Sequence, residues 1–210
     1  GTRSFEIDAQ DLRENLRSIR NGKYLSEFLI ATCHCHQGPI TGQQWLFEDQ
    51  TPEFLVSFAH QAIDNGADMF VGHGPHVVRG IEIYKGKPIF YSLGNFVFQL
   101  DLLTPVGADL YEQYKMDGTT TTDAEFDATW NRLVFGDAIW YQSVVTTSRF
   151  EKGKVAEIRL HPIDLRYMAR GADRGVPVVA SPPLAKTILD RVQRLSRPFG
   201  TRIDIQDGIG

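Results

Sequence analysis

Apolar positions recur with helical spacing in some stretches of the chain and run unbroken in others. Over residues 8–21, Leu12, Leu16 and Ile19 fall three to four apart, the spacing of one helix face, and Gly22 offers a stop. Phe28 to Cys33 is a short apolar run, which predicts a buried strand ending at His34. Residues 37–50 hold two glycines and a proline and read as a loop. Thr51-Pro52-Glu53 predicts a helix start, with Thr51 as the cap and Pro52 in the first helical position. That helix runs to Asp64, with Phe54, Phe58, Ala62 and Ile63 facing inward and Gly66 as the stop.

Ala67 to Gly72 predicts a second short buried strand, followed by the loop His73-Gly-Pro-His76. Residues 80–84 and 88–92 flank Lys85-Gly86-Lys87, a hairpin signature, and a second hairpin joins 142–150 to 155–161 through 151–154. Residues 99–137 are rich in threonine and acidic residues without a clear period and read as a long insertion or mobile loop. Pro183 to Leu195 predicts an amphipathic helix with Leu184, Ile188, Leu189 and Val192 on one face. Strands alternate with helices early and hairpins dominate late, which suits a layered α/β sandwich rather than a uniformly parallel sheet.

The 210 residues suffice for one domain with a real core. A net charge of -4 argues against a nucleic-acid tracking surface, so no nucleic-acid partner is expected. An anionic substrate would need a local cluster or a metal to hold it. No apolar run approaches the roughly 20 residues that span a bilayer. Cys33 and Cys35 lie one residue apart on one strand, too close for an unstrained disulfide. They read as free thiols facing the packed layers, away from His34.

Four of the six histidines fall at two places, His34/His36 and His73/His76, each directly after a predicted strand. Strand C-termini in α/β sheets are where loops converge on one crevice. Imidazole is a common metal ligand and titrates near neutrality, so the two pairs predict either a metal centre or an acid–base centre. The plainer alternative for any one of them is a hydrogen-bonded structural histidine, and His60 and His161 are read that way. Gly74 and Pro75 would preset the geometry of the second pair.

The block from Gly66 to Phe98, containing Gly72-His-Gly-Pro-His76 and Tyr91-Ser-Leu-Gly-Asn-Phe96, closely resembles the signature of the CapA (poly-γ-glutamate capsule synthesis) family. That family is similar to calcineurin-like metallophosphoesterases. The resemblance implies a layered α/β/β/α sandwich, present here as its C-terminal part. It implies that His34, His73 and His76 are metal ligands for divalent ions (Mn, Fe, Zn or Mg). In a hydrolase built on these ligands, His36 would either support them from behind or protonate the leaving oxygen as general acid, and Gly72, Gly74 and Asn95 would offer donors to a substrate phosphate. The superfamily's early D-x-H, G-D and G-N-H-[DE] elements have no counterpart before His34. We therefore expect an N-terminal half outside this chain, carrying them and any targeting signal, for a cytoplasmic or envelope-associated protein. A degenerate, single-metal or metal-free site is the alternative. The expected partners are an anionic substrate (a phosphoester or a polyglutamate-like polymer) and either the missing N-terminal segment or a second copy. Three functions stay open: a metal-dependent hydrolase, a metal-independent histidine acid–base or amide-processing enzyme, and a non-catalytic capsule assembly or export factor.

Overall fold

The computed structural model describes residues 5–38, 49–100 and 105–210. Most of the loop expected over 37–50 lies outside the described residues. The first helix, α1, spans Ala9–Leu25, and its N-cap Asp8 accepts hydrogen bonds from the backbone N–H groups of Gln10 and Asp11. It buries Leu16, with Ile19 partly buried, as the spacing predicts. The helix continues past Gly22 to Leu25 rather than stopping there. A Cβ at position 22 would lie 3.3 Å from Leu29 Cδ1, so this glycine serves packing against the following strand.

Strand β1 (Ile30–His34) pairs in parallel with β2 (Met69–His73). Between them, helix α2 (Glu53–Asp64) has Pro52 as its N-cap, one residue later than Thr51, the expected cap. Its fully buried residues are Leu55, Ala59, Ala62 and Ile63, while Phe54 and Phe58 flank them half-buried. A rotation of the expected face by one residue puts the small alanines against the sheet. The hairpin of β3 (Ile81–Tyr84) and β4 (Lys87–Phe90) completes a four-stranded sheet of order β1-β2-β4-β3. Its turn has Lys85 at φ 53° and Gly86 at φ 79°, both positive, as a two-residue type I′ turn requires.

The second hairpin, β5 (Gln142–Glu151) with β6 (Lys154–Asp164), turns at Lys152 and Gly153, again both at positive φ. The short strand β7 (Val178–Val179) joins β6 to make a three-stranded sheet of order β5-β6-β7. Within residues 99–137 the pattern without period hides two helices, α3 (Ala108–Gln113) and α4 (Asp123–Val134). The overlooked signal is a capping box: Thr122 Oγ1 accepts from Glu125 N while the Glu125 carboxylate accepts from Thr122 N. Tyr111 and Phe126 then bury against each other, ring centroids 4.8 Å apart.

Helix α5 (Pro182–Ser196) buries Ile188, Leu189 and Val192 in a core shared with Phe90 of the first sheet and Val144 and Leu160 of the second. Helix α2 covers the opposite face of the first sheet through Phe70, Ile89 and Tyr91. The result is the expected layered α/β arrangement. Asp68 fixes the entry to β2: its carboxylate accepts from Lys23 Nζ at 2.7 Å and from Leu29 N at 3.0 Å, and pairs with Lys87 at 3.2 Å. Among the described residues, no helix is long and apolar enough to cross a membrane.

Candidate functional site

The parallel register of β1 and β2 sets His34 beside His73, so both imidazoles leave the sheet at the same carboxyl end. Their Nδ1 atoms lie 2.8 Å apart. His34 Nε2 lies 3.0 Å from His36 Nε2. The His36 and His76 ring centroids are 5.5 Å apart, so all four imidazoles meet in one place. Three of them, His34, His36 and His73, are exposed, and His76 is half-buried.

Two glycines allow this convergence. Gly74 has φ 118°, and a Cβ there would lie 2.9 Å from Cys35 N, so the 73–76 loop lies directly on the 34–36 segment. Cys35 N donates to His73 O at 2.7 Å across the same contact. Gly72 is buried, and its Cβ would lie 2.5 Å from Tyr91 O. Both glycines, expected to serve a substrate, are thus accounted for by close backbone approach. Asn95, expected to offer donors to a phosphate, has both amide hydrogens engaged elsewhere. Its Nδ2 donates to His76 O at 3.1 Å and to Trp140 O at 3.0 Å.

His76 takes φ 60°, uncommon for a residue with a Cβ. Its ring lies within a wall of Phe98, Phe135 and Trp140, at centroid distances of 5.5, 5.9 and 6.5 Å. Phe135 follows α4 directly, so the 99–137 segment builds one side of the site. Sequence reasoning missed this wall and also Arg79. That arginine is fully buried, donates from Nη2 to Gln37 O at 3.1 Å, and is a charge felt by His36. An arginine between Val78 and Gly80, next to apolar strands, was the available signal.

Burial, then the neighbouring His76, His34 and Arg79, hold His36 below the ordinary histidine pKa; burial and His34 do the same to His73. Both shifts favour the neutral form of the ring, which has a lone pair available. Cys33 is pushed up, by burial and then by Cys35, so its thiol stays protonated and is a poor soft ligand. Neither cysteine forms a disulfide, and both pack toward α2, as expected.

As a metal-binding set, the cluster has the right donors, neutral imidazole nitrogens. It is incomplete in number. His34 directs one nitrogen to His73 and the other to His36, which leaves pairs rather than a closed shell. Among the described residues, no group of three or more His, Cys, Asp or Glu side chains is arranged to hold a metal ion. His60 and His161 stand apart from the cluster. His60 Nε2 lies 2.8 Å from Glu82 Oε1, and its ring stacks on Tyr84. His161 lies on β6 across from Val145, with its Nε2 3.5 Å from Thr147 Oγ1.

Fold and site together define an α/β protein with a histidine centre at the carboxyl ends of adjacent parallel strands. Residues 2–100 match the sequence model of the bacterial capsule synthesis protein PGA_cap family. That match covers just under half of the chain and supports an assignment to the CapA, poly-γ-glutamate capsule synthesis, family. It is similar to the uncharacterized protein y4sH of Sinorhizobium fredii, 46% identical over 217 residues covering 99% of this chain and 46% of the relative. It is also similar to the PGA biosynthesis protein CapA of Bacillus subtilis, 69% identical over 35 residues, 17% of this chain and 9% of the relative. A probable polyglutamine synthesis accessory protein of Mycobacterium tuberculosis is 57% identical over 42 residues, 20% of this chain and 11% of the relative. The chain thus spans about half the length of the relative it matches most extensively among these (46%).

Proposed function

We propose that this chain supplies the histidine half of a hydrolytic centre acting on an anionic substrate, a phosphoester or a polyglutamate-like polymer, in capsule polymer biosynthesis. The observation that carries the reading is the convergence of His34, His36, His73 and His76 at the ends of β1 and β2. Their surroundings suit an anion: the buried guanidinium of Arg79 lies near enough to act on His36.

His34, His73 and His76 would hold a divalent ion, with further ligands from outside this chain's span. Such an ion supplies Lewis-acid polarisation of the scissile group. His36, hydrogen-bonded to His34, is positioned to hold a proton and deliver it to the leaving oxygen. The aromatic wall around His76 keeps water from that side of the ring. The hydrogen-bonded row His73–His34–His36 favours a second reading, proton relay without a metal on the same fold.

A segment like those that the longer relatives carry beyond the matched span is the partner this reading needs. Strand β1 is the edge of its sheet and β5 the edge of the other; Phe28, just before β1, contacts Phe150 of β5 with centroids 4.8 Å apart. Phe28 and Ile30 are 43% and 48% exposed beside these edges, a surface suited to further strands.

The test is hydrolysis of phosphodiester and poly-γ-glutamate substrates by the encoded protein, before and after exhaustive chelation. Loss on chelation with rescue by manganese supports the metal reading, and survival supports the relay. No bound metal and no hydrolysis with any common divalent ion sinks both.

A further inference from the structure

Asn95 sits in the turn after β4, where Gly94 takes φ 79° and a Cβ would come within 2.6 Å of Ser143 Oγ. A primary amide has two hydrogens on nitrogen and only acceptor sites on oxygen. Both Asn95 hydrogens point at backbone carbonyls, His76 O at 3.1 Å and Trp140 O at 3.0 Å, which can only accept. Turning the amide round would set its oxygen against two carbonyl oxygens. The orientation is therefore fixed by partners and not by choice of atom name. Oδ1 must face His76 Nδ1, 2.8 Å away, and that ring nitrogen must carry the hydrogen.

We propose that Asn95 is a positioning residue that locks His76 as its Nδ1–H tautomer and so leaves Nε2 as the lone-pair nitrogen of the site. A neutral imidazole has one donor and one acceptor nitrogen, so fixing one fixes the other. The same side chain also holds the His76 backbone. Its N–H bond to His76 O secures a residue at φ 60°, a conformation that carries strain. The wall of Phe98, Phe135 and Trp140 offers the ring apolar contact and leaves orientation to Asn95. The invariant part of the device is geometric: two carbonyls orient an amide, and the amide orients a histidine. Its use in chemistry rests on the functional reading above, whereas the tautomer itself does not.

The test is nitrogen NMR of ¹⁵N-histidine-labelled encoded protein after chelator treatment, at a pH where His76 is neutral. The wild type should show a pyrrole-like Nδ1 and a pyridine-like Nε2 for His76. Asn95→Leu removes the acceptor and should move the tautomer ratio toward Nε2–H by about tenfold, the effect of one net hydrogen bond. A wild-type spectrum with Nε2–H, or Asn95→Leu with an unchanged ratio, overturns the proposal. The wild-type spectrum decides the matter even if Asn95→Leu does not fold. An Nδ1–H signature in a protein without hydrolytic activity would overturn the functional reading and leave this one standing.

Discussion

His34 and His73 are register partners on adjacent parallel strands, and their Nδ1 atoms lie 2.8 Å apart. Neighbours that touch in one hydrogen-bonded row act as a unit, and their deletions do not add. We expect His34→Ala and His73→Ala each to lower hydrolysis by about 10²–10⁴-fold, and the double variant to be little worse than either single one. Steady-state rates of the three variants check this; additive losses would show two independent roles.

Gly74→Ala should break the convergence without touching a ring. The added methyl meets the Cys35 backbone at 2.9–3.0 Å, and the φ of 118° is closed to alanine. We expect a destabilisation of about 1–3 kcal/mol, read by urea unfolding, and separation of the His34 and His73 rings in a crystal structure. Unchanged stability would mean that the loop does not need this approach.

Acid should loosen the entry to β2 through Asp68. Burial raises its pKa, but hydrogen bonds from Lys23 and Leu29 and the Lys87 ammonium more than offset this and lower it. A depressed folded-state value contributes stability that is complete above the unfolded value, about 3.9, and is lost as pH falls through the folded one. Asp68→Asn should lower stability by about 2 kcal/mol at pH 7 and flatten the stability profile at the acid end. Parallel profiles of wild type and variant below pH 4 would contradict the assignment.

The His60–Glu82–Tyr91 group should matter to stability alone. Tyr91 OH donates to Glu82 Oε2 at 2.6 Å, and Tyr91 is fully buried with its pKa pushed well up, by burial and then by Glu82. Removing one partner of a buried hydrogen bond costs about 1–3 kcal/mol. Tyr91→Phe should show that loss in thermal unfolding, and His60→Ala should leave hydrolysis unchanged. A fall in activity with His60→Ala would extend the site to this side of the sheet.

Much of this arrangement was legible in the residues. Apolar runs ending in histidine placed β1 and β2, and two lysine–glycine turns placed both hairpins, because each rests on local chemistry. The meeting of the two histidine pairs followed from strand ends sharing one edge. What the pattern concealed depends on contacts distant in sequence. Gly22 looked like a helix stop until Leu29 lay against it. Helices α3 and α4 are short and meet through Tyr111, Tyr114 and Phe126, so no long period marks them. Asn95 looked like a substrate donor because nothing local reveals that Trp140 O takes one of its hydrogens.

The most direct measurement is the hydrolytic rate of the encoded protein carrying His73→Ala, set against wild type on the same phosphodiester and poly-γ-glutamate substrates. The account predicts a loss of at least about 100-fold with the melting temperature nearly unchanged, since His73 is exposed at the end of its strand. Undiminished hydrolysis by this variant would contradict it.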